Sequence, residues 1–262
     1  MQPVREPDQS ALANKVPQVT LFFWIIKILA TTVGETAADL LSVRLDLGLV
    51  TTSLVMSAVF AVVLVCQLRA RTYIPPLYWI TVVLISIVGT LVSDYLVDGL
   101  DVGLVTTSLA FGAILAAVFA LWYRLERTLS IHTIVTRRRE FFYWAAILFT
   151  FALGTSAGDL TAESIELGYG PSVLLFAGLI VAVTLCFYVL AADAVLCFWI
   201  AYVLTRPLGA SLGDYLAKPV IAEGLGFGTV FTSFVFLGVI LILVSYLTLS
   251  KADRIGRLPS KA

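Results

Sequence analysis

The sequence predicts an all-α integral membrane protein with eight transmembrane helices, built from four parallel tandem helical-hairpin repeats. Composition is the first reason: 60% of the 262 residues are hydrophobic and only 13% are charged, a balance typical of membrane proteins. Apolar stretches of about 20 residues, the length that crosses a bilayer core, are the second reason. The third is a short pattern that occurs four times along the chain.

The repeat is marked by a tryptophan, a glycine ten residues later and an aspartate five residues after the glycine. The four sets are Trp24, Gly34 and Asp39; Trp79, Gly89 and Asp94; Trp144, Gly154 and Asp159; and Trp199, Gly209 and Asp214. Because each repeat crosses the membrane twice, all four enter it the same way up, and we expect pseudo-symmetry about the membrane normal. A second glycine follows at Gly48, Gly103 and Gly168, and we match it to Gly226 in the fourth repeat, after a three-residue insertion.

These apolar stretches give the elements in chain order. Helices are predicted at residues 18–42, 47–67, 75–97, 102–123, 141–161, 168–189, 191–215 and 227–249. The corresponding division is an N-terminal tail at 1–17, repeats at 18–73, 74–140, 141–190 and 191–250, and a C-terminal tail at 251–262. The first tail has no apolar core followed by a cleavage site, so we expect no cleaved signal peptide.

Charge in the loops predicts the topology. Thirteen Lys and Arg residues fall on one side of the predicted bundle and only Arg44 and Lys218 on the other. The thirteen are Arg5, Lys15, Arg69, Arg71, Arg124, Arg127, Arg137, Arg138, Arg139, Lys251, Arg254, Arg257 and Lys261. The positive-inside rule therefore places both termini and the basic loop at 124–140 in the cytoplasm.

Two helices carry ionisable residues within their apolar stretches, where charge is costly and commonly functional. In the first helix Lys27, Thr31, Glu35 and Asp39 recur every four residues and so form one stripe. The seventh helix carries Arg206, Ser211 and Asp214, and Pro207 is expected to kink it or free a carbonyl, as in the broken helices of ion sites.

These residues form the candidate site. We predict a central cavity in which Glu35, Asp39, Asp94, Asp159 and Asp214 bind a cation or exchange protons, and Lys27 and Arg206 act in gating or charge pairing. Thr31, Thr36 and Ser211 are predicted to line the cavity, and Glu35, Asp39 and Asp214 are the candidate metal ligands, since hard cations prefer oxygen. The structural alternative is that the aspartates cap the following helices or tie down their loops, and that Arg206 only neutralises Glu35.

The equivalent positions separate these alternatives. Glu35 aligns with Thr90, Thr155 and Ala210, so it breaks the symmetry of the repeats, which favours a functional role. The repeated glycines are predicted to serve close helix packing. The tryptophans are predicted to form an aromatic belt at the membrane interface.

The stretches FWIIKILATTVGETAADLL and TRPLGASLGDYLAKP resemble the first and fourth repeats of a bacterial family of uncharacterised membrane-anchored proteins. That family is defined by a tandem two-helix repeat of unknown function with a characteristic tryptophan, and the resemblance extends from Val16 to about Arg254. It implies a four-repeat protein of the bacterial inner membrane and supplies no activity.

Function must therefore be inferred from the residues. A secondary transporter or ion-conducting protein for a small cation is the favoured hypothesis, with a divalent metal or a proton-coupled cation as the options, and a non-transporting scaffold, sensor or assembly partner is the alternative. We expect no enzyme, because no P-loop, HExxH or GxS with a paired base occurs. The expected partners are the lipid bilayer, a small cation or other small solute and, as one option, a second copy of the chain, with no nucleic acid and no cofactor.

Overall fold

A computed structural model describes residues 14–253, and within them eight helices are long and apolar enough to cross a membrane, with no strand. The helices are α1 (Leu21–Asp39), α2 (Leu49–Arg69), α3 (Pro75–Asp94), α4 (Leu104–Glu126), α5 (Arg137–Asp159), α6 (Tyr169–Val189), α7 (Ala194–Ala217) and α8 (Thr229–Ser250). The predicted fold class is confirmed. The loops predicted to be basic lie at one end of the bundle, called the basic end here, and the repeated aspartates lie near the other, called the acidic end.

The helices form two layers. The odd-numbered helices make an inner ring in which α1, α3, α5 and α7 each pack against the next, and α7 packs against α1. The even-numbered helices lie outside this ring. The most hydrophobic window of each inner helix is 56–67% buried, against 11–28% for the outer helices, whose exposed surface is apolar and suited to lipid.

Each outer helix connects two repeats. Helix α2 packs mainly against α3, α4 against α5, and α6 against α7, so the second helix of each repeat lies on the first helix of the next. Helix α8 packs against α1 and closes the ring. The four repeats therefore form an interlocked assembly with approximate four-fold symmetry about the bundle axis.

The repeated glycines lie where neighbouring inner helices cross. A Cβ atom added to any of them would come within 2.5 Å of a side-chain atom on the neighbouring inner helix. The contacts are Gly34 with Ser86, Gly89 with Phe151, Gly154 with Arg206 and Gly209 with Thr31, the partner always lying three residues before the next glycine in the cycle. This pattern supports the predicted packing role and provides independent evidence for the pseudo-symmetry.

Three inner helices widen into a single turn of π-helix directly after their aspartate. These turns are Leu40–Arg44, Tyr95–Gly99 and Leu160–Ser164. In the first and third, the N–H of the residue after the turn donates to the carbonyl of the turn's first residue, at a distance of 2.9 Å. Helix α7 instead continues to Ala217, followed by a short 3₁₀ turn at Val220–Ala222. The fourth repeat therefore differs from the others at the acidic end.

The matching of Gly226 to the second glycine of the other repeats was wrong. Helices α2, α4, α6 and α8 begin after Gly48, Gly103, Gly168 and Gly228, and each of these carbonyls accepts a hydrogen bond from the N–H of a Thr or Ser four residues later. From the aspartate to this glycine is nine residues in the first repeat, Asp39 to Gly48, and fourteen in the fourth, Asp214 to Gly228. The insertion is therefore five residues long.

Helix α7 is not broken at Pro207. The helix is continuous from Ala194 to Ala217 with the proline inside it, so of the two predicted effects, a kink or a freed carbonyl, the structure supports the freed carbonyl. Proline cannot donate to the carbonyl four residues earlier, but one missing hydrogen bond is tolerated where tight packing against α1 and α5 holds the backbone.

Helix α5 begins at Arg137, four residues earlier than predicted, with the Thr136 side chain accepting a hydrogen bond from the N–H of Arg139. The side chains of Arg138 and Arg139 both pair with Glu126 at the end of α4. These ion pairs join the end of α4 to the start of α5 across the basic loop. They give a protein partner to two arginines that the sequence indicated only as topology determinants.

The predicted N-terminal tail is docked where the structure describes it. Lys15 forms a buried ion pair with Glu140 at 2.6 Å, and its N–H donates to the carbonyl of Ile134. The N–H of Gln18 donates to the carbonyl of Asp253, so both ends of the described chain meet at the basic end. The predicted topology determinants Arg5, Arg254, Arg257 and Lys261 lie outside the described residues.

Candidate functional site

The inner ring places equivalent residues of the four repeats in layers around the bundle axis, and we call this set of layers the axial column. From the acidic end inward it contains four layers: the repeated aspartates; the layer of Glu35, Thr90, Thr155 and Ala210; the layer of Lys27, Val82, Ile147 and Tyr202; and the aromatic layer of Phe23, Tyr78, Tyr143 and Phe198. Arg206 projects into the second layer from α7.

Arg206 connects the inner ring through one nitrogen. Its Nη2 donates to Glu35 Oε2 at 3.1 Å, to Thr155 Oγ1 at 2.6 Å and to Thr90 Oγ1. The three acceptors occupy the same repeat position on α1, α5 and α3, so the guanidinium lies close to the pseudo-four-fold axis. The side chains of Arg206 and Glu35 are 0% and 7% exposed, which makes this a buried ion pair.

The pairing of Glu35 with Arg206 that the sequence suggested is therefore present. Thr90 and Thr155 were not predicted as site residues, although their alignment with Glu35 placed them at the same level. The signal that could have identified them is that alignment combined with a cation on the fourth inner helix, because a buried guanidinium requires acceptors from its neighbours.

Lys27 lies two turns closer to the basic end than Glu35 and forms no ion pair with a described residue. Its Nζ is 4.3 Å from the ring centroids of both Phe151 and Tyr202, and it has no hydrogen-bond partner among residues 14–253. No described carboxylate lies within 4 Å of it. The structure thus gives Lys27 cation–π contacts instead of the predicted charge pairing.

An aromatic cluster closes the basic end of the column. In each repeat the residue before the tryptophan contacts the tryptophan of the next repeat, with ring centroids 5.6–6.2 Å apart. The pairs are Phe23 with Trp79, Tyr78 with Trp144, Tyr143 with Trp199 and Phe198 with Trp24. The hydroxyls of Tyr78 and Tyr143 also form a hydrogen bond of 2.5 Å.

The prediction of an interfacial aromatic belt was therefore wrong. Trp79, Trp144 and Trp199 are buried, and Trp24 is half-buried. Tryptophan's amphipathic ring suits a membrane interface, but these four lie on the faces that meet the neighbouring inner helix, where flat rings fill the space between helices. Together with the aromatic residues that precede them, these four tryptophans fill the interior of the bundle at the basic end, and we call this cluster the aromatic seal.

The repeated aspartates form a ring at the acidic end. Asp39, Asp94 and Asp159 are half-buried and form no hydrogen bond or ion pair with a described residue, whereas Asp214 is buried. Neighbouring aspartates interact electrostatically around the ring, and all four interact with Glu35. None caps a helix, because the outer helices start from glycines and the wide turns after the aspartates receive no side-chain cap.

Lys218 makes the ring unequal. Its Nζ lies 3.5 Å from Asp214, 3.3 Å from Glu163 and 2.6 Å from the hydroxyl of Tyr169. Burial alone would lower the pKa of Lys218, but Asp214, Tyr169 and Glu163 raise it well above its ordinary value, so the ammonium is retained. Asp214 is thereby paired with a cation and tied to the loop of the third repeat, whereas Asp39, Asp94 and Asp159 form no ion pair with a described residue.

The three predicted cavity-lining hydroxyls lie at different places. Thr31 donates to Ile28 O of its own helix at 2.6 Å and lies 3.3 Å from Thr205 O across the α1–α7 crossing, and Thr36 accepts from Ser233 of the outer helix α8 at 2.7 Å. Ser211 is buried and its hydroxyl has no partner among the described residues. Thr31 and Thr36 therefore face neighbouring helices, α7 and α8, and do not line one shared cavity, since five residues at about 100° each place them on different faces of α1.

Among residues 14–253 the predicted ligands form no metal-binding group, and they line neither of two grooves in the structure. In the described part of the chain no three His, Cys, Asp or Glu side chains are grouped as metal ligands, which includes Glu35, Asp39 and Asp214. Two grooves of about 620 and 720 Å³ lie outside the inner ring at the basic end, beside α1 with α6 and beside α4, and both border α7. Neither is lined by Glu35 or a repeated aspartate.

Comparison with known proteins gives a family and no activity. A family model described as Repeat of Unknown Function (DUF347) matches residues 22–73, 77–128, 142–192 and 197–253, each match covering one inner and one outer helix. No curated protein and no solved structure matches the chain.

Proposed function

The chain belongs to the family defined by the DUF347 repeat of unknown function, and we propose that it is a secondary transporter that moves a small cation or protons along the axial column. The observation that carries the proposal is the ring of carboxylates directly above a buried Glu35–Arg206 pair on the axis. Ionisable groups at membrane depth are costly, and in membrane proteins they commonly mark ion paths.

Membrane orientation follows from the loop charges. With the basic end in the cytoplasm of a bacterial inner membrane and both termini on that side, the aspartate ring faces outward. The outer loops are acidic, so a cation arriving from outside meets an attractive surface before it reaches the ring.

A carrier fits the column better than an open channel. The aromatic seal closes the basic end, and Arg206 places a positive charge on the axis, which opposes free passage of cations. Passage therefore requires two conformations, as in alternating access. In the described one the aspartates are only half-buried at the acidic end, whereas aromatic rings pack together at the basic end.

Glu35 can act as the switch between these conformations. Its carboxylate pairs with Arg206, and a proton or cation that neutralises it removes the charge that holds the guanidinium on the axis. The three hydrogen bonds from Nη2 join α1, α3 and α5, so releasing Arg206 loosens the ring at one level. Asp39, Asp94 and Asp159, which have no basic partner, supply the outer binding site.

A non-transporting scaffold is the second candidate, favoured by the same three bonds from Arg206. A polar layer that joins three inner helices would hold the bundle in one arrangement without any transport. In that case the aspartates would only face water at the membrane surface.

Flux into proteoliposomes separates the two candidates. Purified protein is tested with monovalent and divalent cations, with and without a proton gradient, using wild type, Glu35→Gln and the exposed control Glu166→Gln. We expect gradient-dependent flux of one cation in wild type and in Glu166→Gln, and at least a tenfold loss in Glu35→Gln with folded protein retained. Unchanged flux in Glu35→Gln would eliminate the proposed switch, and no flux of any cation with folded wild type would favour the scaffold.

A further inference from the structure

Lys27 is a buried basic residue, and among residues 14–253 no carboxylate lies close enough to pair with it. It is 1% exposed, and Phe151 and Tyr202 supply ring faces but no acceptor atom to its ammonium. Its charged neighbour is another cation, Arg206. Glu35, the acid on the same stripe, lies two turns away, about 12 Å along the helix, and is engaged by Arg206.

The neighbouring arginine also has unused donors. Only Nη2 of Arg206 forms hydrogen bonds, while Nε and Nη1 are buried and have no partner among the described residues. Native proteins rarely leave buried donors unpaired, and a fully buried unpaired ammonium is costlier still. The part of the axial column that contains Lys27 and Arg206 therefore has more hydrogen-bond donors and positive charge than acceptors and negative charge.

The two cations border the same aromatic ring. Lys27 Nζ lies 4.3 Å from the centroid of Phe151, and the guanidinium carbon of Arg206 lies 5.5 Å from it. Water could satisfy a donor but would leave the charge of Lys27 uncompensated, because Glu35 is already paired with Arg206. An anion would satisfy the donors and also reduce the charge.

We propose that the axial column binds a small monovalent anion, such as a halide, nitrate or formate, between Lys27 and Arg206. Lys27 Nζ and the unpaired Nε and Nη1 of Arg206 are all donors, which matches a compact anion without donors of its own. This site concerns binding alone and holds whether or not the chain transports a cation.

Thermal unfolding of the detergent-purified protein, followed by tryptophan fluorescence, tests the site. Sodium chloride, nitrate and formate are compared with sodium gluconate at equal sodium concentration and pH, because gluconate is too large for a closed column. A ligand that binds only the folded state raises the unfolding midpoint as its concentration exceeds the dissociation constant. We expect at least one small anion to raise the midpoint of wild type by several degrees.

Variants locate the effect. We expect Lys27→Met to lose the anion-dependent shift, Lys27→Arg to keep it, and Lys251→Met, which removes an exposed lysine, to keep it in full. In gluconate, Lys27→Met should unfold no lower than wild type, because it removes an unpaired buried charge. Lys27→Gln serves as a second neutral variant should the methionine variant fail to fold.

Two results would overturn the proposal. One is an absence of any shift in wild type with every anion. The other is an equal shift in wild type and in the neutral variants at position 27, which would show a general salt effect. Since no gradient or membrane is used, a failed transport assay has no bearing on either result.

Discussion

Arg206 and Glu35 hold the positions at which the repeats stop being alike. The equivalent of Glu35 is Thr90 in the second repeat and Thr155 in the third, and both threonines accept hydrogen bonds from the arginine of the fourth. The sequence predicted this pair because it could be aligned repeat by repeat. It could not predict that the guanidinium lies on the axis, since reach across the ring depends on how closely the inner helices approach.

Arg206 should be required for stability through its pairing with Glu35. Replacing it with methionine leaves Glu35 buried and unpaired, which we expect to lower the free energy of unfolding by about 3–5 kcal/mol. Adding Glu35→Gln to Arg206→Met removes the stranded charge and should recover a large part of that loss. Denaturant unfolding of the two variants and of Glu35→Gln alone measures the coupling, and additive losses would contradict a buried pair.

Helices were predicted well as elements and less well at their ends. The eight spans follow from hydropathy, whereas the start of α5 at Arg137 depends on a Thr136 cap and on arginines paired with Glu126. The aromatic seal was missed for a related reason. Tryptophan is a residue type that favours the membrane interface, but the helix face on which it lies decides whether it meets lipid or another helix.

Adding volume at a repeated glycine of an inner helix should destabilise the protein, whereas adding it at a glycine of an outer helix should not. In Gly89→Ala the new Cβ would come 2.5 Å from Phe151 Cβ and 3.2 Å from the backbone nitrogen of Ala152, so α3 and α5 must move apart. We expect a loss of about 1–3 kcal/mol in unfolding free energy from this overpacking. The matched control is Gly238→Ala on α8, where a Cβ has no atom within 4 Å, and it should be neutral or slightly stabilising. Equal losses of unfolding free energy in the two variants would contradict the close crossing of α3 and α5 at Gly89.

At the scale of the whole molecule, the repeats are interlocked. Tandem hairpins were predicted from sequence, but the partner of each outer helix was not, because α2, α4, α6 and α8 are apolar on nearly all sides and could pack on either neighbour. In the structure each lies on the inner helix of the following repeat, and α8 returns to α1. This arrangement leaves the axis lined by inner helices alone, which is what allows one carboxylate from each repeat to meet in a ring.

The fourth repeat departs from the symmetry at the acidic end. The insertion in the fourth repeat supplies Lys218, which pairs with Asp214 and with Glu163 of the third repeat. The other three ring carboxylates form no ion pair with a residue in the described part of the chain. In the proposed transport cycle these three, Asp39, Asp94 and Asp159, receive the incoming proton or cation.

The central claim is that transport follows the axis through this ring, and cation flux in two asparagine variants tests it most directly. Asp94→Asn and Asp101→Asn remove the same charge from the same repeat, one at the axis and the other in an exposed loop. Measured in proteoliposomes against wild type, Asp94→Asn should lose most of the flux and Asp101→Asn should keep it. Equal flux in the two variants, with both folded, would contradict an axial path.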